Sequence, residues 1–204
     1  AERTRDIVLG TIECEPDGYI AKPFTQGDFK MRIIRLMEQQ QTFAEVNTAL
    51  DNGAYDMAFR LLDGIRENEP RYRSLALRKR AGLLYEQKRH AEALQVFDTA
   101  LETRQPTWAL IGRARCIAEL GDRPKAIAEL EEIIRNHPLT VPAIDTLAIC
   151  HLREGRKREA QQTVDKAIAI SPMSIERQRW LGELSLEIGE VGRALEAYRA
   201  TLHL

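Results

Sequence analysis

Small and apolar residues recur along this chain at helical spacing, in five near-copies of one pattern. Between residues 126 and 134, Ala126, Leu130, Ile133 and Ile134 fall on one face of a helix. The surrounding spacing predicts a helix from about Thr107 to Leu120 and a turn at Gly121-Asp122. A second helix starts near Pro124, where proline is tolerated in the first turn, and ends before Asn136-His137-Pro138. The arrangement returns with a period of about 34 residues. Its best-marked positions are Ala58, Ala93, Ala126, Ala160 and Ala194, separated by 35, 33, 34 and 34 residues. Gly53, Gly121, Gly155 and Gly189 each stand five residues before one of these alanines. Pro70, Pro138 and Pro172 stand twelve residues after, and Pro106 is one residue late. A fixed period in this range predicts stacked helical hairpins rather than one globular core.

Small residues also recur twelve positions before the marker alanines, at Ala81, Ala114, Ala148 and Gly182. These are the places where two helices must approach closely. A larger side chain there would push a hairpin apart, at a cost of about 1–3 kcal/mol for overpacking. The first unit departs from this rule, with Val46 at the equivalent place.

The pattern closely resembles the tetratricopeptide repeat family. The last unit matches best, with Leu181-Gly182, Gly189, Ala194-Leu195 and Tyr198. The fourth offers Leu147-Ala148, Gly155, Ala160, Ala167 and Pro172; the second offers Ala81, Ala93-Leu94, Phe97, Ala100 and Leu101. The first, with Gly53, Tyr55, Ala58, Leu62 and Pro70, keeps the second helix of the motif but has Val46 in place of the small residue. The resemblance covers residues 39–204, as units of about 39–72, 73–106, 107–140, 141–174 and 175–204. It implies an all-α, right-handed solenoid with a concave groove that binds peptides or partner proteins.

Residues 1–38 break the period. Asp17-Gly18-Tyr19-Ile20-Ala21-Lys22-Pro23-Phe24-Thr25 reads as a short strand and a Lys-Pro-Phe run. Phe29, Ile33, Ile34, Leu36 and Met37 then mark an amphipathic helix. This order resembles the end of a response-regulator receiver domain, and implies a partial α/β remnant ahead of the repeats. In that family the lysine matching Lys22 reaches the phosphorylated aspartate, and Pro23 follows it. The acidic pair, the acceptor aspartate and the hydroxyl residue of a receiver have no counterpart here. With the start at Ala1, this predicts a fragment of a longer protein. Magnesium is expected only in an intact receiver, and no cofactor is expected in this chain. The helix from about Gln26 is expected to run on toward Asn52, because no proline or glycine follows Gly27.

Composition narrows the partners. The 204 residues are 44% hydrophobic and 30% charged with a net charge of −1, which suits a chain with ample surface to bury. No long basic run argues for a nucleic-acid stripe, and no apolar stretch reaches the roughly 18 residues of a membrane span. Three widely spaced cysteines fit a reducing cytoplasm better than a disulfide framework. Cys116 and Cys150 are one period apart and read as small packed residues. His90, His137, His151 and His203 lie in different units without metal-ligand spacing. No nucleophile–base pair or phosphate loop stands out, so the chain is not expected to be an enzyme or to hold a metal.

The groove follows from the family's inner-wall positions on each first helix. These give Phe43 and Asn47; Arg78, Tyr85 and Glu86; Trp108, Ile111, Arg115 and Glu119; Asp145 and Arg153; Arg179 and Glu183. Arg78, Tyr85, Trp108, Ile111, Arg115 and Arg179 form the candidate peptide site, since aromatic and arginine side chains dominate binding hot spots. Two arginines there suit an acidic segment or a terminal carboxylate. The alternative is that they pair with Glu86 and Glu119 and only solubilise the wall. The family's chaperone-binding clamp needs lysine and asparagine where Phe43 and Asn47 stand, so half of that pair is missing. The expectation is the binding module of a bacterial two-component response regulator, in which the receiver controls the repeat surface. A plain repeat scaffold is the alternative, and an enzyme with an unrecognised site the third. The unpaired Tyr19–Ala21 strand and the Leu202-His203-Leu204 end are expected to favour self-association.

Overall fold

A computed structural model describes residues 23–102 and 104–202, and among them finds ten α-helices, one short 3₁₀ turn and no strand. The helices are α1 (Gln26–Asp51), α2 (Tyr55–Asn68), α3 (Arg73–Glu86), α4 (His90–Leu101) and α5 (Thr107–Glu119). They continue as α6 (Arg123–Asn136), α7 (Val141–Arg153), α8 (Lys157–Ile170), α9 (Ile175–Ile188) and α10 (Val191–Thr201). The expected all-α hairpin array is therefore present. The proposed strand at Tyr19–Ala21, Lys22 and the chain end at His203-Leu204 lie outside the described residues. Pro23 is exposed.

The turns explain the period. Gly53, Gly121, Gly155 and Gly189 all have positive φ, from 68° to 102°, where a Cβ is strained. The second hairpin has no glycine there, and Lys88 takes the same conformation at φ 60°. The chain thus keeps one turn geometry in all five hairpins and accepts local strain in one. Asp122 caps α6 by accepting from the Lys125 backbone N–H, and Ser174 caps α9 in the same way through Arg177. The chain divides into two compact units, of residues 16–109 and 110–204.

In the first unit, α1 packs on α2, α2 on α3 and α3 on α4. Its core gathers Phe43, Val46, Ala49, Ala58, Leu62, Tyr72 and Ala76, with Tyr72 edge-on to Phe43. Tyr72 closes the 3₁₀ turn Pro70–Tyr72, so the helix-stopping proline also delivers a core aromatic. Helix α1 is one unbroken element of 26 residues and crosses the predicted boundary at 38/39 without a kink residue. It begins with a capping box: Asp28 N–H donates to Thr25 Oγ1 at 3.1 Å, and Thr25 N–H to Asp28 Oδ2 at 3.0 Å. The Thr25 N–H and the Thr25 hydroxyl, the latter at 2.7 Å, both donate to the Asp28 carboxyl and hold it below its ordinary pKa. Burial starts only at Phe43. Phe29, Ile33, Ile34 and Met37 are exposed, Met37 at 63%, so the amphipathic face expected there is uncovered among the described residues.

In the second unit, α6 to α10 each pack on their sequence neighbours. Ala148, Ala160, Val164, Leu181, Leu184 and Ala197 form one cluster, and Val141, Ile144 and Ala167 another. The small positions are used as the spacing predicts. Ala114 and Ala148 are fully buried, as is Ala81 in the first unit. A Cβ on Gly182 would lie 2.7 Å from Tyr198 Cζ, so the ring of α10 rests on the bare backbone of α9. Cys116 and Cys150 are buried, and burial pushes the Cys150 thiol pKa up.

Candidate binding recess

The predicted site residues do not form one cluster. In the first unit Arg78 and Trp108 line a common recess of about 430 Å³. Tyr85 is absent from its lining and instead sits edge-on to His90, with ring centroids 4.9 Å apart. Phe43, expected on the inner wall, is a core residue at 2% exposure, with Lys79 over its ring at 5.6 Å. Ile111, Arg115 and Arg179 belong to the second unit. There Ile111 is buried, Arg115 is exposed, and Arg179 lies 3.6 Å from Glu183 one turn away. Asp145 and Arg153 are also engaged. Arg177 donates to both Asp145 oxygens, and Arg153 Nη1 donates to Glu119 Oε1 at 2.5 Å.

Trp108 lies in the first turn of α5, half-buried, its ring tilted against Phe97 at 6.1 Å. Leu36, Leu75 and Tyr72 line the recess as well. The lining also includes Arg32 and Arg35 from α1, Arg71 from the 3₁₀ turn and Arg78 from α3. Among the described residues, no aspartate or glutamate lines it. Arg71 is held from outside: its Nη1 donates to Glu38 Oε2 at 2.7 Å and its guanidinium lies 5.3 Å from the Tyr72 ring centroid. The bond to Glu38 holds the Arg71 pKa above its ordinary value. Arg32 Nε and the Tyr72 hydroxyl are buried and meet no hydrogen-bond partner among the described residues. Buried polar atoms normally have one, and leaving one unpaired costs about 1–3 kcal/mol.

Sequence reasoning found Arg78 and Trp108 but missed Arg32, Arg35 and Arg71. The signal was present. Arg32, Arg35, Leu36 and Gln39 share one face of a helix by their 3, 4 and 7 spacing, and Arg71 and Arg78 are two turns apart. It was hidden because residues 1–38 read as a separate domain, and only the unbroken α1 lays that face beside α3. Among the described residues no group of histidine, cysteine, aspartate and glutamate could hold a metal ion. None of the described helices is long and apolar enough to cross a membrane.

A chain of helical hairpins that pack on their sequence neighbours within each unit, with a recess lined by first-helix and 3₁₀-turn residues, defines an α-repeat binding scaffold. Two sequence profiles described as tetratricopeptide repeat match, over residues 43–107 and 84–147, and together they span just over half of the chain. The chain belongs to the tetratricopeptide repeat family. A thermophilic TPR protein of Thermus thermophilus is similar in fold, with a TM-score of 0.64 at 19% identity, over 80% of this chain and 90% of that one. MamA (residues 41 to the end) from Desulfovibrio magneticus RS-1 is similar at a TM-score of 0.62 and 18% identity, over 81% and 93%. A tetratricopeptide repeat protein from Parabacteroides merdae ATCC 43184 gives 0.61 at 18% identity, over 80% and 65%. No curated protein matches the sequence. Repeats of this family generally serve as non-enzymatic scaffolds that bind partner proteins or peptides, and the array here has that form.

Proposed function

We propose that this chain binds a segment of a partner protein in the recess of its first unit, with Trp108 as the apolar anchor and Arg78 as a polar contact. The observation that carries this reading is the half-buried Trp108 beside Leu75, Tyr72 and Arg78 in one open recess. Such an aromatic anchor with arginine beside it is the composition of an interface hot spot, where truncation costs about 2 kcal/mol or more. Arg115 and Arg179, exposed in the second unit, are proposed as separate contacts of that unit by itself. The test is capture of partners from the source lysate by the wild type and by Trp108→Ala, with folding checked by circular dichroism. Loss of captured partners supports the reading. Unchanged affinity for all of them overturns this placement of the site.

The regulatory part of the proposal is that the whole protein is a response regulator whose receiver acts on this surface. Helix α1 favours it: one rigid element joins the uncovered apolar residues Phe29, Ile33, Ile34 and Met37 to the core residues Phe43 and Val46. A receiver's last helix would bury that first stretch against its own sheet, and α1 would carry any displacement into the recess through Arg32 and Arg35. The full-length gene decides this. An upstream acceptor aspartate supports the receiver reading, and its absence leaves a plain scaffold.

A further inference from the structure

We infer that the outer face of α10 is a contact between two copies of this chain, paired antiparallel about a two-fold axis. The repeat identifies the face. Leu195 stands one residue after a marker alanine, as Phe59, Ile127 and Gln161 do. Those three are covered, Ile127 at 7% and Gln161 at 3% exposure, whereas Leu195 is 49% exposed. The cover comes from the next hairpin: Arg80 and Arg89 lie over the Phe59 ring, and Gln161 donates to Ser185 and Glu190. Leu202 is open too, although Ile168, at the equivalent place, packs into a core cluster. A repeat array leaves such a face apolar only where another element covers it.

The chemistry of the face selects its occupant. Polar groups join α8 to the hairpin that follows. Lys157 Nζ lies 3.0 Å from Glu187 Oε2, Gln161 Nε2 donates to Ser185 Oγ at 3.0 Å, and Arg193 donates to Asp165. Thirty-four residues on, those three α8 positions hold Val191, Leu195 and Arg199. Val191, Leu195 and Leu202 share one stripe of α10 by their spacings of 4 and 7, and all three are exposed. The stripe therefore does not fit a polar-seamed hairpin like the last one and calls for a second apolar stripe.

A second α10 supplies it. An antiparallel copy sets Val191 of each chain against Leu202 of the other, and such an isologous contact closes at two chains. Charge fits the same direction. Glu196 and Arg199 edge the stripe, exposed and in no ion pair among the described residues. Reversing one helix brings Glu196 of each copy to Arg199 of the other. Head-to-tail stacking on α1 fits poorly. There Gln41, Glu45 and Thr48 are exposed, at the places where Arg177, Leu181 and Leu184 are buried in the last unit. Leu195 on that side of α1 would cover an unpaired carboxylate.

The test is sedimentation velocity of the full chain from about 2 to 200 μM, where one helix pair is expected to give a weak, micromolar dimer. Leu195→Glu should weaken the dimer about tenfold or more. Glu196→Arg and Arg199→Glu should each weaken it about three- to tenfold, through two lost pairs and new repulsion. An equimolar mixture of those two variants should recover wild-type association, because each then meets the opposite charge. Met57→Glu, at an exposed apolar position of α2, should leave the dimer unchanged. Circular dichroism checks that every variant is folded. Five results overturn the inference: a strict monomer up to about 200 μM; wild-type association of Leu195→Glu; growth beyond the dimer; a mixture of the charge variants no tighter than either alone; or a Met57→Glu effect as large as that of Leu195→Glu. None of these residues lines the recess, so Trp108→Ala tests the binding reading and Leu195→Glu tests this one.

Discussion

Arginine serves two different ends in the two units. In residues 110–204 arginines bind carboxylates about one repeat away: Arg123 with Glu154, Arg153 with Glu119, Arg177 with Asp145 and Arg193 with Asp165. Their separations of 28 to 34 residues match the period, so each pair joins one hairpin to the next. The first unit also has such a pair, Arg71 with Glu38, 33 residues apart. Its recess, by contrast, gathers arginines in a lining that contains no acid among the described residues. In a solenoid, then, an ion pair one period long is structural.

The sharpest way to break this comparison is to remove Arg177. It is 8% exposed and donates from two nitrogens to Asp145. Arg177→Ala should lower stability by about 3 kcal/mol in urea unfolding, because it strands a partly buried carboxylate. The double change with Asp145→Leu should recover most of that loss. A single-mutant effect below about 0.5 kcal/mol would place this pair with ordinary surface ion pairs and remove the contrast.

The turns give the next test. Lys88→Gly in the first unit should stabilise by about 1 kcal/mol, since Lys88 alone among these turns holds a left-handed φ with a side chain. Gly155→Ala in the second unit should cost about the same. Opposite signs in thermal unfolding would show that the hairpins share one turn geometry.

A pH series separates the units further. Burial, with the charge of Arg156 next, holds the His151 pKa below 6.5 in the folded second unit. The unfolded chain then binds a proton more readily, so stability is full above about pH 6.5 and falls as pH drops below it. The loss should be roughly 1 kcal/mol or less for each pH unit, and His151→Gln should flatten it. A stability that rises on acidification in this window would contradict the sign.

The smallest expected effect sharpens the comparison from the other side. Arg35→Gln and Arg78→Gln should change stability by less than about 0.5 kcal/mol while changing binding. A large stability loss at either would class it with the structural arginines of the second unit.

How much of this was legible varies by element. Helix α6 was read almost to its ends, because Ala126, Leu130, Ile133 and proline punctuation are local signals. Gly182 was marked as a place of close approach, and the structure names the neighbour, Tyr198. Phe43 was misplaced on the groove because an inner-wall position says where a Cβ points, while Tyr72 from another element covers it. Tyr85 turned to His90 for a comparable reason: a nearby ring outside its own helix offered the contact.

By itself the sequence determined the repeat, the hairpins, the turn glycines and the small-residue contacts. All of these follow from interactions within about one period of chain. Only the tertiary structure decided which arginines meet a carboxylate one repeat away and which line the recess beside Trp108, with Arg71 doing both. Those choices depend on the rotation of one helix against the next. A 3.6-residue helix spreads its side chains around the whole axis, so a turn of a few tens of degrees decides whether Arg177 finds Asp145 or Arg35 lines an open wall.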